Sequence, residues 1–212
     1  MEIVWLGHSC FRIRGREATV LTDPCPPASG YSIGKPTADI VTVSHRHDNH
    51  SYLKAVAGSP TVLNAPGEYE ISGAFVTGIV TYHDDKKGEE RGPNLSFVIE
   101  MEDIKLCHLG DLGHTPSAEQ AEDMTGADIL FVPVGGHTTL DGVKAAEVVA
   151  LLEARLVVPM HYKTAGFKGE LETPERFLKE MGVTAHEPQA KLSVTRNQLP
   201  ADTQVVLLDY RR

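Results

Sequence analysis

The stretch that most constrains this chain is residues 44–51, Ser-His-Arg-His-Asp-Asn-His-Ser, reached directly from the apolar run 38–44. That run does not alternate polar with apolar residues, so it predicts a strand buried on both faces. A rigid strand end then delivers His45, His47 and His50 to one place, and neutral imidazole is the commonest protein ligand for a metal ion. The pair at i and i+2 can converge on one ion while the third imidazole faces a neighbouring one. The competing reading is a polar surface turn. Three imidazoles in six residues favour the metal centre.

The remaining residues bound what surrounds such a centre. At 212 residues the chain suits one substantial core better than two, so residues 1–212 are read as a single domain. The hydrophobic share of 41% and charged share of 23% are those of a folded globular chain. A net charge of −9 with no long basic run argues against a nucleic-acid partner. Three widely spaced cysteines, Cys10, Cys25 and Cys107, fit reduced thiols better than a disulfide framework. No secretory leader pattern and no transmembrane stretch is legible, so the expectation is a cytoplasmic protein with no membrane partner. Its oligomeric state is not legible.

Strands are predicted at 2–6, 10–14, 18–22, 38–44, 61–63 and 74–80, with Pro24, Pro26, Pro27 and Gly30 enforcing a loop. Residues 82–94 read as a polar loop, and 95–100 with 104–109 as a hairpin. The second half alternates. A helix to about Met124 is capped by Ser117, a strand spans 128–134, a helix opened by Asp141 spans 140–152, and a strand 156–160 ends at His161. A short helix at 174–181 comes next, then closing strands at 183–186, 190–194 and 204–208. Strands first, then strand–helix alternation, predicts an α/β (α+β) chain with sheets inside and helices outside.

The motif His45-Arg46-His47-Asp48-Asn49-His50 after an apolar strand resembles the His-x-His-x-Asp-His signature of the metallo-β-lactamase superfamily. Further strings resemble its branch of L-ascorbate-6-phosphate lactonase-like, Zn-dependent hydrolases. They are Trp5-Leu6-Gly7-His8-Ser9, Leu21-Thr22-Asp23-Pro24, Pro66-Gly67-Glu68-Tyr69-Glu70, Tyr82-His83-Asp84-Asp85, Arg91-Gly92-Pro93-Asn94, 108–114 and 158–164. The resemblance implies a four-layer αββα sandwich with a mono- or binuclear centre along one edge. It implies His45, His47 and His83 at a first ion, His50 and His161 at a second, and Asp111 bridging both. Asn49 stands where the family has an aspartate ligand. An amide oxygen is neutral and a weaker donor than a carboxylate, which leaves the second ion short of compensating charge.

His8 and Asp23, at early strand ends, are candidates to orient ligand imidazoles, with core hydrogen bonding as the alternative. Zn2+ is the expected cofactor, one ion or two; Mn2+, Fe or Ni also suit an N/O donor set. Such ions acidify water to a pKa of about 7 and so generate a hydroxide nucleophile. The expected reaction is hydrolysis of a small-molecule ester, lactone or phosphoester. Asp48, Asp111 or His114 would handle the proton, and Arg91 or Lys163 would bind an anionic substrate. The competing functions are a phosphodiesterase or ribonuclease of the same superfamily, and a non-catalytic metal- or ligand-binding protein with this fold.

Overall fold

The computed structural model describes residues 1–185 and 187–210. Its first half forms β1 (Glu2–Gly7), β2 (Cys10–Arg14), β3 (Thr19–Thr22), β4 (Ile40–Thr42), β5 (Thr61–Leu63), β6 (Gly67–Ile71), β7 (Ala74–Tyr82), β8 (Pro93–Met101) and β9 (Ile104–His108). The second half adds α1 (Ala118–Met124), β10 (Ile129–Pro133), α2 (Gly142–Leu152), β11 (Leu156–Met160), α3 (Glu175–Glu180), β12 (Leu192–Ser193) and β13 (Gln204–Val205). They build two mixed sheets, a six-stranded one ordered β12-β1-β2-β3-β4-β5 and a seven-stranded one ordered β13-β11-β10-β9-β8-β7-β6. Helices flank the paired sheets, the layered arrangement that the sequence resemblance implies.

Alternation along the strands splits the first sheet into two buried faces. Ile3, Trp5, Val20 and Ile40 join the main core shared with the second sheet. Val4, Leu6, Leu21 and Val41 pack outward into a smaller core with Cys25, Tyr31 and Ile33. That outer cover is the proline-rich loop, with one-turn 3-10 segments at Pro27–Ser29 and Leu53–Ala55 in place of long helices. In the second sheet, β10 and β11 are buried along their whole length, as parallel strands covered on both sides must be.

Local chemistry sets the helix starts. Ser117 and Gln120 form a capping box at α1, and the Asp141 carboxylate accepts from Val143 N at 3.0 Å and Lys144 N at 2.9 Å at α2. Ala145, Val148, Val149 and Leu152 line the inner face of α2 at helical spacing. Two expectations need correction. Gly67–Ile71, outside the predicted strands, is an edge strand paired with β7, its exposed Glu68 and Glu70 masking the apolar signal. The closing strand expected at 183–186 does not form over 183–185. Gly182 turns left-handed after α3, and Val183 N bonds Leu178 O at 2.8 Å, which ties that segment to the helix end. Position 186 lies outside the described residues.

Candidate metal centre

Pairing directions decide what meets at the edge of the two sheets. β1 and β3 are each antiparallel to β2, and β4 is parallel to β3, so β1, β3 and β4 run the same way. They lead into His8, Asp23 and Ser44-His45. In the second sheet β7 and β9 are both antiparallel to β8, while β10 and β11 are parallel to β9. These lead into His83, Asp111, His137 and His161. Loops at the carboxyl ends of co-directional strands are where sheet proteins gather binding groups.

Asp111 is the hub. Its Oδ2 lies 3.1 Å from His161 Nε2, 3.2 Å from His83 Nε2, 3.3 Å from His50 Nε2 and 3.9 Å from His45 Nε2. Burial alone would raise this carboxyl, but the imidazoles of His161 and His50 hold it well below the usual carboxylate range. The same exchange works in reverse on the rings. Burial lowers His50, yet Asp111 and Asp23 push it up to about 10. His45 moves the other way, lowered to about 4 by burial and by His50. Burial lowers His83 as well, but Asp111, closer to it than to His45, raises it on balance, so these rings part in opposite directions according to how near the carboxylate stands.

A set of main-chain and side-chain bonds fixes this hub. Asp23, fully buried, accepts from Ser44 N at 2.7 Å, Ser44 Oγ at 2.6 Å and His50 Nδ1 at 2.9 Å. The last of these turns His50 Nε2 toward Asp111. Asn94 accepts from Asp111 N at 2.9 Å through Oδ1, and donates from Nδ2 to Thr81 Oγ1 at 2.7 Å and Leu109 O at 2.9 Å. Gly110 leads into Asp111 at φ +58°, where a Cβ would lie 2.5 Å from Asn94 Oδ1 and 2.6 Å from the Ser44 Cβ. Only glycine fits there.

The structure places the expected residues unequally. His45, His83 and Asp111 offer ligand atoms within 4.8 Å of one another, and so do His45, His47 and His50. A third such group is His8, His50 and His161. His47 therefore meets the centre through His45 and His50, on its exposed side. Asn49 is half-buried at the rim. Arg91 lines the cavity, and Asp84 holds its turn by accepting the main-chain N–H groups of Lys86, Gly88, Glu90 and Arg91.

Three expected residues do not enter the site. Asp48 is exposed and lines a neighbouring depression with Lys54 and Lys168, because the turn 46–49 directs it outward. His114 spends both nitrogens on the backbone: Nε2 accepts from Tyr82 N at 3.1 Å and Nδ1 donates to Thr115 O at 2.9 Å. It has no free position for moving a proton. Lys163 Nζ donates to Phe167 O at 3.2 Å and Gly169 O at 2.7 Å, so it ties the loop after β11. Sequence reasoning missed Asn94 and Ser44 as supports, and it missed Arg46, Thr138, Phe167 and Glu170 in the lining. Ser44, Arg46 and Asn94 lie inside strings already singled out, where the histidines and Arg91 drew the assignment, whereas Thr138, Phe167 and Glu170 carry no local pattern that marks them.

The cavity has a volume of about 480 Å3 and is lined by His8, His45, His47, His83, His137 and His161 with Arg46, Arg91 and Phe167, while His50 lies buried behind it. Buried polar atoms without hydrogen-bond partners cluster here: His8 Nδ1, His45 Nε2, His50 Nε2, His83 Nδ1, His161 Nδ1 and Asp111 Oδ1. Buried nitrogens and oxygens are rarely left unpaired in a folded protein. Lone pairs of imidazole and carboxylate gathered this way fit a divalent cation of borderline softness, zinc foremost.

Residues 2–161 match the family described as the Beta-lactamase superfamily domain. A UPF0173 metal-dependent hydrolase of Thermoplasma acidophilum is 30% identical over 203 residues, spanning 84% of this chain and 89% of that one. A UPF0173 protein of Pyrococcus furiosus is 30% identical over 204 residues, spanning 85% and 90%. The crystal structure of a candidate Zn-dependent hydrolase of the metallo-β-lactamase superfamily from Thermotoga maritima is similar at a TM-score of 0.83 and 37% identity, with 99% of each chain covered.

Proposed function

The chain belongs to the metallo-β-lactamase superfamily, within the UPF0173 metal-dependent hydrolases, and from that premise we propose that it hydrolyses a small anionic ester, lactone or phosphoester. The observation that carries this reading is the convergence of four imidazoles on the Asp111 carboxylate at the floor of a cavity of about 480 Å3, a volume suited to a small molecule. We assign His45, His83 and Asp111 to the first ion, with His47 closing it from the exposed side. His50, His161 and the shared Asp111 hold the second. A divalent ion held here supplies Lewis acidity toward a carbonyl or phosphoryl oxygen and acidifies water at neutral pH.

The chain's own groups do the rest. Asp111 is kept ionised, and its Oδ1, buried without a hydrogen-bond partner, remains an acceptor that can orient a water at the site. Arg91 and Arg46 line the cavity as cations for the substrate anion, and the Asp84 turn holds Arg91 in place. Phe167 and Leu171 supply an apolar wall that excludes water. The finer placement, beside L-ascorbate-6-phosphate lactonase, is supported by the Trp5–Ser9 and 158–164 strings. Buried, unbridged Cys10, Cys25 and Cys107 support a reducing, cytoplasmic setting.

The test is a panel of carboxylic esters, lactones, phosphodiesters and phosphomonoesters offered to the zinc- or manganese-loaded protein. Turnover of an anionic member is expected, with KM raised at least about tenfold by Arg91→Ala, the loss of one charged contact, and kcat little changed. Stoichiometric metal without turnover of any member would move the protein to the binding class.

A further inference from the structure

We propose that His8 is itself a ligand of the second ion, completing a His8–His50–His161 set in place of the carboxylate missing at position 49. This rests on the metal-centre reading above and names a donor that reading does not assign. The three residues offer ligand atoms within 4.8 Å of one another, with ring centroids 4.9 Å apart for His8–His50, 4.2 Å for His8–His161 and 5.8 Å for His50–His161. All three are buried, His8 at 2% exposure. His8 Nδ1 has no hydrogen-bond partner. A ring that merely oriented a ligand would spend that nitrogen on the ligand or on a carboxylate, as Asp23 spends its Oδ2 on His50.

The backbone at His8 is shaped to place this ring. Residue 8 sits at φ +55°, a conformation costly for a non-glycine residue, and two bonds hold it. Its carbonyl accepts from Trp5 Nε1 at 2.9 Å and from His161 N at 3.2 Å, the second tying the two ligand-bearing turns together across the sheets. Phe167 stacks on the imidazole at 5.0 Å and 14°, fixing its plane. Three imidazoles with one shared carboxylate make a four-donor set of the kind zinc accepts, whereas Asn49 offers only an amide.

The experiment is to strip the full chain with chelator, titrate it with Zn2+ or Co2+, and count ions per chain by atomic emission, following Co2+ in the visible spectrum. Wild type is expected to take two ions, as is Asn49→Ala. His8→Asn, which tolerates the left-handed backbone, is expected to keep one tight ion and to bind the other more than about 100-fold more weakly. Loss of an outer-shell partner costs only about 10–100-fold. A loss in His8→Asn below that bound of about 100-fold, or a single ion in wild type, overturns the proposal. Wild type that binds no ion sinks the metal-centre reading itself, a distinguishable failure. Should the variant fold poorly, anomalous scattering from metal-loaded wild-type crystals decides: an ion about 2.0–2.1 Å from a His8 nitrogen supports the assignment. An ion beyond bonding distance from His8 ends it.

Discussion

Replacing Asp23 by Asn changes one atom in a fully buried cluster, and the hydrogen bonds around that atom fix the response. Asp23 Oδ1 accepts from Ser44 N at 2.7 Å; Oδ2 accepts from Ser44 Oγ at 2.6 Å and from His50 Nδ1 at 2.9 Å. The amide must keep its oxygen toward Ser44 N, since the opposite orientation sets two donors face to face. Its NH2 then meets His50 Nδ1, which has to become an acceptor. The imidazole proton moves to Nε2, the atom that faces Asp111 and must offer a lone pair to a cation. An outer-shell change of this kind costs about 10–100-fold in metal affinity, or about 1.4–2.7 kcal/mol. At saturating metal that is lost from the ligand's stabilisation of the fold. For a chain of this size, with about 2–4 °C per kcal/mol, the metal-induced rise in Tm should shrink by roughly 3–11 °C. Differential scanning fluorimetry of stripped and zinc-loaded protein, wild type against Asp23→Asn, measures it. An equal metal-induced rise in both proteins would refute the tautomer argument, whatever happens to the stripped proteins.

The same geometry dictates three other outcomes. Burial would raise the Asp84 carboxyl, but four main-chain N–H bonds prevail and lower it from the ordinary 3.8 to about 2. A depressed folded value stabilises fully above the unfolded one and is lost as pH falls through the folded one. Protection factors of the amides in the turn 84–92, free-chain exchange rates divided by those observed at the same pH, should therefore fall between about pH 4 and pH 2 in wild type, and Asp84→Asn should remove that fall. Gly110→Ala adds a Cβ 2.5 Å from Asn94 Oδ1 at φ +58°. Left-handed strain and overpacking together should cost at least about 2 kcal/mol in urea melts, with weaker metal retention on dialysis. His114→Ala should leave metal content unchanged, whereas His45→Ala should lower it to at most one ion per chain, as read by atomic emission.

Much of the centre was legible one residue at a time. The buried strand before His45, the imidazole-rich turn and the capped starts of α1 and α2 all arise from short-range patterns. Metal ligation as a chemistry was legible too, because the donor types are written in the side chains. Which donors share an ion was not. Asp111 reaches His50, His83 and His161 from three different turns. Asp48 and His114, equally plausible as letters, end up facing elsewhere. β6 was hidden by its own exposed glutamates.

The order of residues carries the kinds of groups and the strand ends that bear them. Their company comes from how the sheets assemble: His8 with His50 and His161, Asp23 beneath His50, and Asn94 behind Asp111. The reason is that a side chain's chemistry is local, whereas its neighbours depend on strand order and direction in two sheets. That order is set by burial of Ile3, Trp5, Phe97 and Phe131 in one shared core, far along the chain from one another.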